Sequence, residues 1–351
     1  MATLRISNAI SRAPLGPRRF HNPLPRRWQQ PPLNGPSVAL FSTSSPPQTS
    51  PADTPRKPCR HLRGKVAVVT GAGSQGEHIG NGRATALLLA EDGAAVVCVD
   101  KQLSLAERTV AMISSANNTD NSNNTDSTGR QHAAAAAAAA LAVEADVTRE
   151  QDCQRVIAAA LAAYGRVDIL VNVVGVLGAR GTAVDVEVAA WAAGLHANVT
   201  SMMLMARCAI PAMLANKSAQ GCRGSIVNIG SVAGLRGGTP NNLVYPTSKG
   251  AVVNMTRAMA AHHGRDGIRV NCVCPGMLYT PMMMHASDGK LMSSEMREAR
   301  RRRSLLQTEG DAWDCASAVR FLAGDEARWI TGAVLPVDAG ATAATAVSMD
   351  S

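Results

Sequence analysis

From Lys65 onward, short β-branched apolar runs alternate with longer segments of mixed polarity in a regular order. Lys65–Thr70 is a Val-rich run, a glycine-rich turn follows it, and Arg83–Asp92 reads as a helix closed by Gly93. A second run at Ala95–Val99 completes a strand–helix–strand unit, whose crossover demands parallel strands. Further runs at Leu141–Glu144, Ile169–Val174, Ser225–Ile229, Arg269–Val273 and Ala333–Val337 are separated by helical patterns. Their continuous apolar character suits strands covered on both faces. The expectation is one α/β domain, a doubly wound parallel sheet with helices on both sides, over residues 61–345.

Two segments break the pattern. Residues 1–60 are rich in Pro, Arg and Ser without an apolar period, and residues 117–140 form a low-complexity insertion. Within the insertion, Asn117–Gln131 is polar and reads as solvated, and the alanines from Ala133 to Ala140 extend a flanking helix. Residues 346–351 are a tail.

Charge changes the picture of the N-terminus. The net charge is +9, but residues 1–65 hold eleven of the 35 basic residues and only Asp53 of the 26 acidic ones, leaving 24 and 25 elsewhere. The folded body is near neutral, so no nucleic-acid partner is expected. The first 50 residues contain six arginines, several Ser and Thr, and no Asp or Glu, the composition of a mitochondrial presequence directing the protein to the matrix. A cytoplasmic location with a basic tail is the alternative. No stretch approaches the ~20 uninterrupted apolar residues of a membrane span, and no membrane partner is expected. Eight scattered cysteines lack any C-x-x-C pair, and Cys272 and Cys274, alternating in one strand, read as buried thiols on the same face. His78, His196, His262 and His263 show no metal-ligand spacing, so no metal is assigned.

The candidate chemistry gathers at the ends of the apolar runs. The first turn, Thr70–Gly82, carries Gly71, Gly73, Gly80 and Gly82 between a strand and a helix, where backbone N–H groups and the helix dipole stabilise a pyrophosphate. That places the chain among Rossmann-type dinucleotide-binding sheets. Asp100 closes the second strand, eighteen residues after Gly82, in position to accept hydrogen bonds from ribose hydroxyls; it would repel a 2′-phosphate, favouring NAD over NADP, while Lys101 beside it pulls the other way. Tyr245 and Lys249 stand at i and i+4, so a helix would put them on one face and the ammonium would favour the phenolate. Ser231 follows an apolar strand fourteen residues upstream of Tyr245 and can offer a hydroxyl to a substrate oxygen.

These motifs, in this order, resemble the classical short-chain dehydrogenase/reductase family. The resemblance spans about residues 62–345 and adds Asp146-Val147, Asn172-Val-Val-Gly175, Asn198, Pro275-Gly276 with Thr280, and the closing Thr331–Asp338. It implies that Tyr245 is the acid/base, that Lys249 lowers its pKa and holds the nicotinamide ribose, and that Ser231 positions the substrate oxygen. Asn198 would anchor a water linking Lys249 to solvent. Asp146 and Val147 would border the adenine, Asn172 and Gly175 would support the cofactor, and Thr280 after Pro275-Gly276 would meet the carboxamide. Two departures stand out: Gly80-x-Gly82 falls five residues later than the family's glycine spacing, and Val173 and Val174 replace the middle of an Asn-Asn-Ala-Gly pattern.

The implied function is NAD(P)-dependent interconversion of a secondary alcohol and a carbonyl. An NAD-linked alcohol dehydrogenase for a small apolar or cyclic alcohol, an NADPH-dependent 3-oxoacyl-type reductase and a non-catalytic nucleotide-binding protein all stay open. Relatives are commonly dimers or tetramers, so a homodimer or homotetramer is expected. Met202, Met203, Met205 and Met213 read as helix packing or a subunit interface, Met282–Met284 as an apolar pocket lining, and Arg300–Arg303 as a solvated helix face, with an acidic substrate the alternative.

Overall fold

The computed structural model describes residues 57–75, 78–122, 139–217, 221–238, 240–284 and 291–344. The presequence reading, most of the insertion and the C-terminal tail lie outside the described residues. Seven parallel strands form a single sheet in the order β3-β2-β1-β4-β5-β6-β7, with β1 Val66–Thr70, β2 Ala95–Asp100, β3 Ala140–Glu144, β4 Ile169–Asn172, β5 Gly224–Ile229, β6 Ile268–Pro275 and β7 Val334–Val337. The chain runs outward from β1 to β3, then returns to the far side of β1 and continues to β7. The order therefore reverses between β1 and β4, where a crevice opens at the carboxyl ends of the strands.

Alternation along each strand assigns its residues to two apolar layers. Ala67, Val69, Val96 and Cys98 face a layer completed by helices α1 (Asn81–Glu91), α2 (Leu103–Ser122) and α9 (Ala312–Ala323). Val66, Val68, Val97 and Val99 face the opposite layer, completed by α3 (Glu150–Tyr164), α5 (Ser201–Leu214) and the end of α6 (Val244–His263). Burial on both sides is what the unbroken Val-rich runs demand. The edge strand β3 departs from it: its residues are half-buried or exposed because nothing pairs with its outer side in the described sheet.

The other described helices are α4 (Val188–Leu195), α7 (Pro281–Met284) and α8 (Ser294–Arg301). A π-turn at His196–Thr200 joins α4 to α5, so Val188–Leu214 is one continuous helical run of 27 residues. It is the one described helix long and apolar enough to cross a membrane by length and composition. Met202, Met205 and Met213 on it are buried against the protein, whereas Met203 is partly exposed.

The boundaries correct several expectations. α2 continues to Ser122, into the segment expected to be a solvated insertion. β4 stops at Asn172, two residues short, because Val173 already turns to donate its N–H to the Thr70 hydroxyl at the end of β1; β6 runs through Pro275 at the edge of its pairing with β7. Cys272 and Cys274 do share a face, with their buried thiols 3.7 Å apart.

At the amino end of the sheet, buried Asp168 joins the first strand to the fourth. One carboxylate oxygen accepts from the Val66 N–H at 2.9 Å, and both oxygens receive the Arg166 guanidinium at 2.7 and 2.8 Å. Asp168→Ala leaves a buried N–H unpaired and should lower the unfolding free energy by about 1–3 kcal/mol. A shift of the urea midpoint measures this, and an unmoved midpoint would deny the carboxylate that role.

Candidate active site

The glycine turn is built around close backbone approaches. A Cβ on Gly82 would lie 1.9 Å from the Gly71 carbonyl oxygen, so the start of α1 can meet the end of β1 only with glycine there. Gly71 itself has φ +65°, and a Cβ on Gly73 would lie 2.5 Å from an Asp100 carboxylate oxygen. The Gly73 N–H donates to that carboxylate at 3.0 Å, and the Gln102 N–H donates to its other oxygen at 3.1 Å. Asp100 thus stands at the carboxyl end of β2, tied to the turn it faces.

The extended spacing of the turn has a structural counterpart in Arg83, which the sequence reading passed over. Its guanidinium is fully buried and donates to the carbonyls of Ser74 and His78 at 2.9 Å each, and to the Thr109 hydroxyl at 3.1 Å. Thr109 in turn donates to the Ala72 carbonyl at 2.8 Å. The longer loop is therefore clamped from beneath by α1 and α2, while Gly76 and Glu77 at its centre lie outside the described residues. The sequence itself shows only an Arg directly after the last glycine of the turn.

These elements enclose a cleft of about 360 Å³, lined by Gly71, Gly73, Gly80, Gly82, Asp100, Asp146, Val147, Gly175 and Thr280. Nine of the candidate cofactor residues thus share one cleft. Asn172 lies beneath it, donating to Asn228 at 2.9 Å across β4 and β5. Val173 supplies a backbone N–H to the Thr70 hydroxyl at 3.1 Å. That contact needs no side chain, which accounts for the turn's integrity despite the loss of the family's second Asn. At the far end the Asp146 carboxylate accepts from the Thr148 hydroxyl at 2.6 Å and meets the Lys101 ammonium at 2.9 Å. The Thr148 hydrogen bond, followed by Lys101, outweighs partial burial and brings Asp146 down to about 2.

A smaller pocket of about 100 Å³ joins the cleft and is lined by Ser231, Tyr245, Lys249, Pro275, Gly276 and Thr280, among others. Helix α6 brings Tyr245 and Lys249 to one face, with the ammonium 5.9 Å from the centre of the phenol ring. Lys249 donates to the Ile229 carbonyl at 2.8 Å and is buried. Ser231 lies two residues beyond β5 in extended conformation, and its hydroxyl accepts from the Ala233 N–H at 3.1 Å. Gly276 gives room for β7, since a Cβ there would lie 2.6 Å from that of Asp338.

The electrostatics correct one expectation. Burial raises the Tyr245 phenol above its ordinary value; a hydrogen bond with Ser231 partly opposes this, and Lys249 is not the dominant influence. The same loss of solvent depresses Lys249 to about 8. Both groups are desolvated together, so each resists its charged form. The lowering of the phenol inferred from spacing alone is reversed by burial.

Asn198 is buried and held through its side chain. The π-turn carries it into the interior, as such turns often do at functional sites. Its carbonyl accepts from the Val176 N–H at 2.7 Å, and its amide donates to the Val176 carbonyl and the Ser248 hydroxyl, both at 2.9 Å. These protein groups engage both ends of the amide. Asn198 therefore fixes the loop after β4, where Gly175 leaves Lys249 and Asn198 the space a Cβ would crowd.

The residues fit a dinucleotide. The Ser74 hydroxyl oxygen and the Asn81 side-chain carbonyl are buried without hydrogen-bond partners, and both residues line the cleft. Bare backbone at Gly71 and Gly73 lies beside them. A ligand rich in hydroxyl and phosphate groups answers such a surface. The fold and the position of its crevice define a dinucleotide-binding α/β protein of the doubly wound class.

Comparison narrows the class. A sequence profile described as enoyl-(acyl carrier protein) reductase matches residues 118–342. The chain is 36% identical over 282 residues to 2-(S)-hydroxypropyl-CoM dehydrogenase 3 of Xanthobacter autotrophicus, covering 80% of this chain and 98% of that protein. It is 33% identical over 279 residues to meso-2,3-butanediol dehydrogenase of Serratia marcescens, covering 80% and 95%. The solved structure of a 7α-hydroxysteroid dehydrogenase complexed with NADH and 7-oxo glycochenodeoxycholic acid superposes with a TM-score of 0.67 at 28% identity, covering 80% of this chain and 96% of that one. The chain belongs to the short-chain dehydrogenase/reductase family of oxidoreductases.

The buried lysine has a measurable cost. Its folded value of about 8 lies below the ordinary 10.5, so the unfolded chain holds the proton more tightly and stability rises as pH increases from about 8 to about 10.5. Lys249→Met, measured without nucleotide, should raise the thermal midpoint at neutral pH, with the advantage shrinking in alkali. A variant that melts below the parent at both pH values would contradict the stated cost.

Proposed function

We propose that this protein is an NAD-linked alcohol dehydrogenase that interconverts a secondary alcohol and its ketone, with Tyr245, Ser231 and Lys249 at the reacting end. The observation that carries the reading is the junction of the two pockets: the cleft lined by Asp100 and the glycines runs directly into the pocket lined by Ser231, Tyr245 and Lys249, and Thr280 lines both. The named relatives are dehydrogenases of hydroxyl-bearing compounds, which supports the same reading.

A nicotinamide nucleotide in the cleft supplies the hydride acceptor for oxidation and the donor for reduction. Gly71, Gly73, Gly80 and Gly82 would hold its pyrophosphate, Asp100 its adenosine ribose, and Asp146 and Val147 the adenine side. Asn172 and Gly175 would support the middle of the cleft. Lys249 would reach the nicotinamide ribose, and Thr280, beyond Pro275 and Gly276, the carboxamide. NAD is favoured over NADP because Asp100 presents a carboxylate where a 2′-phosphate would sit, while Lys101 is drawn toward Asp146.

At the reacting end, Ser231 orients the substrate oxygen and Tyr245 takes its proton during oxidation or returns it during reduction. Lys249 is mostly an ammonium at neutral pH, since its value is about 8, and its charge holds the phenolate once formed. Asn198 keeps the neighbouring loop in place, so its effect on the reaction passes through Lys249.

A reductase for acyl thioesters is the second reading, favoured by the profile's description; it would use NADPH. The matrix address and the homodimer or homotetramer belong to the proposal as well, supported by the arginine-rich, acid-free first 50 residues and by the family's habits respectively.

Fluorescence titration of the full chain should give tighter binding of NADH than of NADPH, and Asp100→Ala should narrow the difference. Tighter NADPH binding by the parent would promote the reductase. Tyr245→Phe should reduce turnover of secondary alcohols by about a hundredfold or more while leaving NADH binding nearly intact; parental turnover in this variant would remove Tyr245 from the acid/base role.

A further inference from the structure

On the substrate side of Ser231 and Tyr245 lies a larger cavity of about 590 Å³. Besides Ser231 and Tyr245 its wall has apolar residues, Leu177, Val232 and Met283, the last of them from the methionine run expected to line a pocket. It also carries Arg236, Arg300, Arg302 and Arg303, and among the described residues no Asp or Glu lines it.

The nearby carboxylates are already engaged. Glu298 pairs with Arg301 and, at 2.9 Å, with Arg302, while Glu309 pairs with Arg297. Among the described residues no carboxylate forms an ion pair with Arg236, Arg300 or Arg303. Arg236 donates to the Ala341 carbonyl at 2.9 Å, and Arg300 donates through one terminal nitrogen to the Leu278 carbonyl at 3.1 Å. The Nε of Arg300 is buried without an acceptor. Burial disfavours its charge; Glu309, itself bonded to Arg297, offsets part of this, and Arg303 adds repulsion. A solvated helix face describes Arg302 well, exposed and paired, but not Arg300. Like charges gathered on the wall of a partly desolvated cavity raise its potential and concentrate anions.

We propose that this cavity selects secondary alcohols and ketones bearing an oxyanion end group, with the reacting carbon at Ser231 and Tyr245 and the anion on Arg300 and Arg303. Arg236, which lines the same cavity, adds to the positive field. The apolar stretch between the two ends takes a hydrocarbon spacer, and planar guanidinium forks suit a carboxylate, sulfonate or phosphate. The inference rests on the dehydrogenase reading for its reacting end, and the anion end stands on the arginines alone.

The test compares kcat/KM of the full chain with NAD for 5-hydroxyhexanoate and 7-hydroxyoctanoate against the primary amide of each. The length that fits should show a carboxylate preference of about tenfold or more, the size of a charge-assisted hydrogen bond. The preference should weaken as salt rises. Arg300→Met and Arg303→Met should each move the carboxylate-to-amide ratio toward one, and the exposed Arg303 variant keeps the test open if Arg300→Met fails to fold. Equal rates on acid and amide at both lengths, or a preference that survives both substitutions, overturns the proposal. Calorimetry with octanoate and octanamide separates the two readings. Preferential octanoate binding that depends on the arginines, without turnover of any alcohol, refutes the dehydrogenase and keeps the anion site. Turnover of neutral alcohols with equal binding of acid and amide does the reverse.

Discussion

The contact on which the rest depends is the approach of α1 to the end of β1, where Gly82 sits against the Gly71 carbonyl at a distance no Cβ could share. That approach points the amino end of the helix into the crevice between β1 and β4. It also brings Arg83, the next residue, beneath the loop, where its guanidinium can hold Ser74 and His78 by their carbonyls. Steric permission and a buried cation together turn a long glycine loop into a defined edge. The polar atoms of Ser74 and Asn81 are left facing it unpartnered.

A second consequence follows from the doubly covered sheet. Strands buried on both faces leave little water at their carboxyl ends, so the functional groups there operate in a poorly solvated setting. Burial holds the Tyr245 phenol in its neutral form and depresses Lys249 to about 8. The geometry stores this as an instability of the free protein. In the proposed reaction it becomes useful, because a charge formed on the phenol is stabilised most strongly by a neighbouring cation where water competes least.

Much of this was legible in the sequence, for identifiable reasons. The strands around Val66–Thr70 and Ala95–Asp100 announced themselves through unbroken β-branched runs, since a doubly covered strand has no polar side to display. Asp100, Tyr245, Lys249 and Ser231 sit where spacing placed them, because strand ends and helical periodicity are local properties. What escaped was long-range or environmental. Arg83 and Thr109 lie 26 residues apart, and nothing local announces that they meet under the turn. Asn198 reads as a helix residue until the π-turn rotates it inward. The direction of the Tyr245 shift depends on solvent exclusion, which spacing does not encode. Arg300 looked like part of a solvated face because helical position says nothing about which neighbours bury one side chain of a charged run.

The central claim is that the two adjoining pockets carry out direct hydride transfer from a carbinol carbon. Its most direct measurement is mass analysis of the nucleotide after incubating the full chain with NAD and a secondary alcohol deuterated at that carbon. The account predicts reduced nucleotide carrying the deuterium, together with a slower rate than for the unlabelled alcohol. Reduced nucleotide without label, or ketone formed with the deuterium released to water, would contradict it.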